Sequence, residues 1–173
     1  MRTLEEKIEQ ALIEALKYYP EISRNNIIIS YNSLKNTSMA MRPMLYSLFL
    51  PKTKWRFVLF INSHPNETGR LNFLKVSPEV ILGILGHELA HITQYRSKSR
   101  IGIIILGLRY VLSVKYRSIF EREADYIAIA RGVQKELFNS RQEQLRTDTG
   151  LSSEYLKQIK DVYLSPEEIQ QGN

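Results

Sequence analysis

The stretch VILGILGHELAH, residues 80–91, decides how the rest of the chain is interpreted. It contains the pattern H-E-x-x-H, formed by His87, Glu88 and His91. On an α-helix, residues four positions apart lie on one face about 6 Å from each other, so both imidazoles can reach a single metal ion. Glu88 then lies beside the coordination position that the histidines leave open. The apolar residues around the motif indicate a buried helix, in which two imidazoles and a carboxylate need a partner such as a metal ion.

The residues before this stretch predict where its helix begins. Ser77 is a favourable N-cap, Pro78 suits the first helical position, and the acidic Glu79 is stabilised at the positive end of a helix. The histidines therefore fall in the third turn of the helix, where the four-residue spacing places them on one face. The alternative, in which they are core histidines bonded to carbonyl groups, stays open on this motif alone.

A second motif lies downstream, in the stretch FEREADYIAIARG, residues 120–132. Its composition favours a helix that ends at Gly132. Glu121 and Asp125 are four positions apart and share one face of that helix. If the two helices pack together, Glu121 supplies a third metal ligand and Asp125 accepts the spare N–H of a ligand histidine. In the alternative, both acids are exposed and paired with nearby basic side chains.

Composition limits the classes of site and partner. The chain has 173 residues, 43% of them hydrophobic, which predicts one domain over residues 1–173 with residues 147–173 as a peripheral extension. Cysteine is absent, which excludes disulfides and thiolate metal sites. The net charge of +6 permits anionic partners, but no nucleic-acid motif accompanies it, so nucleic acid is not indicated. The charged start of the sequence is not typical of a secretion signal, and we expect a cytoplasmic location.

The remaining segments predict an α+β fold. An amphipathic helix is expected near the N-terminus, and a β-branched run at residues 27–31 indicates a strand. Residues 44–50 and 55–61 are interpreted as two strands of a hairpin joined by residues 51–54, and residues 32–43 as irregular. The expected architecture is a small mixed or antiparallel sheet packed on the N-terminal helix and the H-E-x-x-H helix. A helix carrying Glu121 and further C-terminal helices follow.

One apolar run, Ile101–Val114, has no assigned place in this architecture. It contains Arg109 and is shorter than the about 20 apolar residues that cross a membrane. Three interpretations stay open: a core helix, a surface for self-association, or a segment lying on a membrane surface. The basic residues that flank the run suit the last of these, which would make the protein peripheral to the membrane.

Together, H-E-L-A-H and the later E-x-x-A-D resemble the motifs of the gluzincin metallopeptidases. Within that group the chain is most similar to the family of the heat-shock membrane protease and the CAAX prenyl endopeptidase, including its small soluble relatives, the minigluzincins. The resemblance covers residues 77–131. It implies a zincin-like domain with Zn²⁺ bound by three ligands, His87, His91 and Glu121. It also implies that Glu88 is the general base and that Asp125 orients a ligand histidine.

The resemblance further implies an edge strand that binds substrate in extended form. The candidate is the strand before the metal helix, with one face formed by Trp55, Phe57, Leu59 and Ile61. A residue that stabilises the transition state is also expected, and the candidates are Tyr126, Arg131 and the loop histidine His64. The chain lacks the several membrane-spanning helices of the membrane members.

The leading hypothesis is a zinc-dependent endopeptidase that cleaves a peptide or protein substrate. One alternative is a non-catalytic or latent binding module on the zincin scaffold, associated with a membrane surface through Ile101–Val114. The other is a regulatory protease that cleaves a DNA-associated protein, for which the basic net charge is the only indication. Residues after Leu164 could also fold back over the cleft, in which case the intact chain is latent.

Overall fold

A three-stranded mixed sheet lies against the helices that make up most of the chain. The computed structural model describes residues 3–34, 37–65, 69–146 and 151–172. The strands are β1 (Ile27–Asn32), β2 (Met39–Pro43) and β3 (Phe57–Asn62). The helices are α1 (Leu4–Leu16), α2 (Pro78–Ser97), α3 (Arg100–Leu112), α4 (Val114–Ala130), α5 (Gln134–Leu145), α6 (Ser153–Val162) and α7 (Pro166–Gln171). The predicted α+β class is confirmed.

The strand order is β1-β3-β2, with β1 parallel and β2 antiparallel to β3. In this register Ile27 pairs with Phe57, and Met41 pairs with Leu59. The strand predicted at residues 27–31 and most of the one predicted at residues 55–61 are confirmed. The order leaves β1 and β2 as the two edges of the sheet and β3 at its centre.

The predicted hairpin is wrong in its first strand. Residues 44–50 contain a 3₁₀-helix, Leu45–Phe49, instead of a strand, and the strand that pairs with β3 is β2, in a stretch predicted to be irregular. In β2 the buried Met39 and Met41 alternate with less buried neighbours, as expected for a strand with one covered face. Phe49 is 80% exposed. Burial against β3, rather than the apolar content of residues 44–50, therefore decides which segment becomes the strand.

The proposed substrate strand is also placed differently from the prediction. β3 is the central strand, and Trp55, Phe57, Leu59 and Ile61 are each 0% exposed. These side chains form the core, so they do not line a peptide-binding edge. The edge strand near the H-E-x-x-H helix is β2, because the backbone N–H of Met41 donates to Glu88 Oε2 at 2.6 Å.

Helix α2 begins as its sequence predicts and is buried along most of its length. The Ser77 side chain accepts a hydrogen bond from the Val80 N–H, and Pro78 occupies the first turn. Two glycines let α2 approach α5 closely. A Cβ on Gly83 would lie 2.1 Å from the carbonyl oxygen of Glu136, and one on Gly86 would lie 2.7 Å from Val133 Cγ1. The spacing between the two helices therefore requires glycine at both positions.

The C-terminal segment is part of the core, in contrast to the peripheral extension that was predicted. Residues 147–150 lie outside the described residues. Beyond them, α6, α7 and the turn between them contribute several buried side chains: Tyr155, Ile159, Val162, Leu164 and Ile169. The sequence of α6 explains its burial, since its apolar residues recur at helical spacing and share one face of the helix.

Only part of the apolar run Ile101–Val114 belongs to the core. In α3, Ile103 and Leu106 are buried, whereas most of the other large apolar side chains are exposed. Among the helices of the described residues, none has the length and apolar content needed to cross a membrane.

Candidate metal centre

Three ligand-type atoms from two helices converge in the interior. His87 and His91 lie on α2 and Glu121 lies on α4, and one ligand atom from each falls within 4.8 Å of the others. Glu121 Oε2 is 2.9 Å from His87 Nε2 and 3.2 Å from His91 Nε2. Ligand atoms bound tetrahedrally at about 2.0–2.1 Å from one ion are about 3.3 Å apart. The spacing of these atoms is compatible with a single bound cation.

The other nitrogen of each imidazole is held by an oxygen. Asp125 Oδ1 lies 2.7 Å from His87 Nδ1, and Gln94 Oε1 lies 2.8 Å from His91 Nδ1. Because both oxygens are acceptors, each Nδ1 carries a hydrogen, and Nε2 is the nitrogen of each ring that faces Glu121 Oε2 and could bind a metal. The structure thus places Asp125 where the sequence predicted it.

Gln94 is a residue that the sequence interpretation missed. Its amide nitrogen donates to the Phe120 carbonyl at 2.9 Å and to Glu123 Oε2 at 2.8 Å, so its oxygen must face His91. Glu123 is exposed, but it helps to orient Gln94. The signal was local, since Gln94 lies three positions after His91 on the same helix.

Arg141 was missed as well, and it completes the surroundings of Asp125. Its Nη2 donates to Asp125 Oδ1 at 3.1 Å and to Oδ2 at 3.0 Å, and the Leu164 N–H donates to Oδ2 at 3.0 Å. Asp125 is 0% and Arg141 3% exposed. A chain of contacts therefore runs from Arg141 through Asp125 to His87. The polar sequence of α5 contains no signal that this arginine is buried.

Replacing Arg141 by methionine should destabilise the protein strongly. The methionine fills a similar volume but removes the guanidinium that pairs with both oxygens of the buried Asp125 carboxylate, a change that typically costs about 3–5 kcal/mol of unfolding free energy. Urea denaturation measures the loss. The matched control is Arg131→Met, which breaks an ion pair with Glu21 on the surface and should cost at most about 1 kcal/mol. Equal losses for the two variants would contradict this role of Arg141.

Aromatic residues surround the cluster. The Tyr110 hydroxyl donates to Glu121 Oε1, which leaves Oε2 as the oxygen that faces both imidazoles. The Phe120 ring stacks on His91 with centroids 5.0 Å apart, and the Tyr163 ring lies 5.4 Å from that of His87. Tyr110 lies on α3 and Tyr163 follows α6, so helices far apart in sequence shield the cluster.

Glu88 lies beside a small cavity. Its Oε2 accepts the Met41 N–H, and its side chain is nearly as buried as the histidines. The cavity has a volume of about 20 Å³, close to the space that one water molecule occupies. Its lining includes His87, Glu88, Arg141, Tyr155, Ile159 and Tyr163. α6 and the residue after it therefore form one wall of the cavity.

Residues after Leu164 do not form that wall. They make up α7, which packs on α5, and Gln134 Nε2 donates to the Ile169 carbonyl at 2.7 Å. The hypothesis that the residues after Leu164 cover the cleft is therefore wrong, because other residues form the wall of the cavity. The covering side chains, Tyr155 and Tyr163, come just before that point in the chain.

Burial and charge act in opposite directions on the ionisable groups. Burial raises the pKa of Glu88, and the neighbouring histidines only partly offset this effect. Burial opposes ionisation of Glu121 too, but His91 and His87 outweigh it and hold its pKa low. Burial alone would lower the pKa of His87, yet Asp125 and Glu121 raise it to about 10. The cluster is thus an anionic pocket that holds protons on its imidazoles, and a metal cation would replace those protons.

The metal-free protein should lose stability as the pH rises from neutral to alkaline. The pKa of His87 is about 10 in the folded chain against 6.5 as its ordinary value. The stabilisation is therefore complete below pH 6.5 and is lost as the pH approaches 10. We expect the unfolding free energy to fall by a few kcal/mol over that range.

Urea denaturation of chelator-treated protein measures this decline. His87→Gln is the control and should reduce the dependence on pH to the part that comes from His91, whose pKa Glu121 also raises. A flat profile in the metal-free wild type would contradict the assignment.

The three candidates for stabilising a transition state lie away from the cluster. Tyr126 is 39% exposed, since it follows Asp125 by one position and points to another side of α4. Arg131 pairs with Glu21 Oε1 at 2.6 Å, and His64 is an exposed loop residue whose Nδ1 lies 3.0 Å from Ser63 Oγ. The structure brings none of these three to the imidazoles.

Comparisons with protein-family models, with curated proteins and with solved structures find no match to this chain. The function of this chain is therefore inferred from its two sequence motifs and from the geometry of the cluster.

Proposed function

We propose that the chain is a zinc-dependent peptidase with a zincin-like domain. The observation that carries the proposal is the convergence of His87 Nε2, His91 Nε2 and Glu121 Oε2, while each Nδ1 is held by an acceptor. Isolated core histidines have no need for an arrangement that turns both Nε2 atoms toward one carboxylate oxygen. The resemblance of H-E-L-A-H and E-x-x-A-D to the gluzincin motifs supports the same function.

The donor set suits zinc. Two imidazole nitrogens and one carboxylate oxygen, with no cysteine in the chain, are typical of catalytic rather than structural zinc sites. When bound, zinc would lower the pKa of a coordinated water and polarise a peptide carbonyl. Asp125 would hold the ring of His87 in place, and Gln94 that of His91, so both histidines are positioned before the metal arrives.

Glu88 would transfer a proton from the attacking water to the leaving amine. Burial raises the pKa of Glu88 toward the range in which a carboxylate is an effective general base. The Met41 N–H holds Oε2, which leaves Oε1 to take a proton from water and return it to the leaving amine. Glu88 lies next to His87 at the wall of the small cavity, where a water molecule fits.

The edge strand β2, in place of β3, is the site where an extended peptide would bind. It is paired on only one side, and the N–H of Met41 points away from β3 toward α2. In this conformation the Met41 N–H already donates a hydrogen bond to Glu88. A peptide adding to the edge would use such N–H groups for backbone hydrogen bonds.

Access to the site requires a conformational change. The cavity of about 20 Å³ is far smaller than a peptide segment, and His87, Glu88 and His91 are each at most 6% exposed. Tyr155 and Tyr163 close it from the side of α6. Movement of α6 would open the cavity, so this conformation is a closed, latent one.

The test of the proposal is metal stoichiometry together with cleavage of an unfolded protein such as casein. After chelation and reconstitution, elemental analysis should show one zinc ion per chain. Cleavage should require zinc and be inhibited by a chelator. A reconstituted chain that binds no zinc would contradict the proposal.

A non-catalytic module stabilised by metal is the second candidate, and the closed cavity favours it. In that case zinc binds with the same stoichiometry and raises the melting temperature, but no cleavage occurs, even with Tyr155→Ala and Tyr163→Ala in place to open the cavity. A DNA-associated substrate stays a prediction from the net charge.

A further inference from the structure

Helix α3 presents an apolar face to solvent. Six of its side chains are 44–82% exposed: Ile101, Ile104, Ile105, Leu108, Val111 and Leu112. Their spacing of three and four residues places them on one continuous arc of about 120°. The opposite side of α3 carries Ile103, Leu106 and Tyr110, which pack on the protein. The exposed arc is therefore a second face of the helix, separate from the one that fills the core.

Basic residues border this apolar arc, and the stretch of sequence that carries it contains no acidic residue. On the helix, Arg100 and Arg109 are exposed and project on the two sides of the arc. Between Glu88 and Glu121 the chain has no aspartate or glutamate. Over the same interval it has six basic residues, namely Arg96, Lys98, Arg100, Arg109, Lys115 and Arg117. The surface of α3 thus combines exposed apolar side chains with basic side chains.

We propose that α3 binds the surface of an anionic lipid bilayer and lies in the plane of the interface. Its apolar arc would enter the boundary between headgroups and acyl chains, while Arg100 and Arg109 contact lipid phosphates on either side. A helix with this pattern is bound by buried apolar area and by attraction to anionic lipid together. The inference concerns a binding surface and does not depend on the metal centre being catalytic.

A second copy of the chain fits this surface less well. In a symmetric dimer the same patch meets itself, so the positive charges of one copy would be brought close to those of the other. Residues 89–120, which include all of α3, carry no acidic side chain that could balance them. An anionic bilayer supplies the missing charge as well as the apolar phase.

A second segment, connected to the end of α2, also exposes apolar side chains. The 3₁₀-helix Leu45–Phe49 exposes Leu45, Tyr46 and Phe49, and Lys52 after it donates to the Arg96 carbonyl at 2.8 Å. Arg96 lies at the end of α2, just before α3 begins. The two exposed apolar segments are therefore both connected to this end of α2.

The experiment is co-sedimentation of the full chain with vesicles of phosphatidylcholine alone or with one third phosphatidylglycerol. We expect binding to the anionic vesicles that weakens as salt is raised. The paired substitution Leu108→Asn and Leu112→Asn should lower the partition coefficient at least about tenfold, since two exposed leucines no longer enter the lipid. The control, Ile13→Asn with Leu74→Asn, changes exposed apolar residues elsewhere and should leave binding unchanged.

The charge contribution is tested separately. Arg100→Gln with Arg109→Gln should weaken binding to the anionic vesicles by about 25-fold, roughly fivefold per charge, while Lys160→Gln on α6 has little effect. Analytical ultracentrifugation without lipid reports self-association. Binding that is unaffected by the leucine pair would overturn the proposal, because it would show a general attraction of a basic protein. No vesicle binding would also overturn it, and a dimer that the leucine pair dissociates would assign the face to a second copy.

Discussion

Replacing Glu88 by glutamine should lower kcat/KM for peptide cleavage by about 10²–10⁴-fold without loss of bound zinc. Glutamine has nearly the same shape and can still accept the Met41 N–H through its oxygen. It cannot take a proton from water at neutral pH. The two imidazoles and Glu121, which would hold the metal, are unchanged by the substitution.

The measurement combines kinetics with elemental analysis of the same sample. Glu79→Gln is the matched control, since Glu79 is an exposed glutamate at the start of the same helix and makes no contact with the cluster. It should retain wild-type activity. Cleavage by Glu88→Gln at the wild-type rate would show that Glu88 is not the general base.

Replacing Glu121 by glutamine should weaken zinc binding by more than about 100-fold. Removing a residue that only orients a ligand typically costs 10–100-fold in metal affinity, and Glu121 would itself contact the ion. The substitution removes the one carboxylate oxygen that faces both Nε2 atoms. It also removes the negative charge that helps to hold the pKa of His87 high.

Competition with a chelator of known affinity measures the change. Glu79→Gln is the control, because that glutamate is exposed at the start of α2, away from the histidines and from Gln94. Its effect should be small. Unchanged zinc affinity in Glu121→Gln would assign the third ligand to another residue.

The helices that carry the cluster were predictable from local sequence. Ser77 and Pro78 mark the start of α2, and the four-residue spacing of His87 and His91 determines that they share a face. The same spacing pairs Glu121 with Asp125 on α4. These features depend only on the period of a helix and on the groups at its ends, so no knowledge of distant residues was needed.

The sheet was only partly predictable. The apolar residues 44–50 resemble a strand in composition, yet they form a 3₁₀-helix, and Met39–Pro43 pairs with β3 instead. Strand propensity depends on the partner strand and on which face is covered. The position of β3 at the centre of the sheet follows from the parallel pairing with β1, which sequence periodicity does not specify.

The amino-acid sequence by itself determined which side chains can act as metal ligands and that they occur in pairs on two helices, because helical geometry relates residues three and four positions apart. Only the tertiary structure decided that α2 and α4 meet, that Arg141 is buried against Asp125, and that α6 closes the cavity beside Glu88. The residues in these contacts are far apart in sequence: Arg141 and Asp125 are 16 positions apart, and His87 and Glu121 are 34 positions apart. They depend on how the buried faces of several helices fit together, and that fit is a property of the packed chain as a whole.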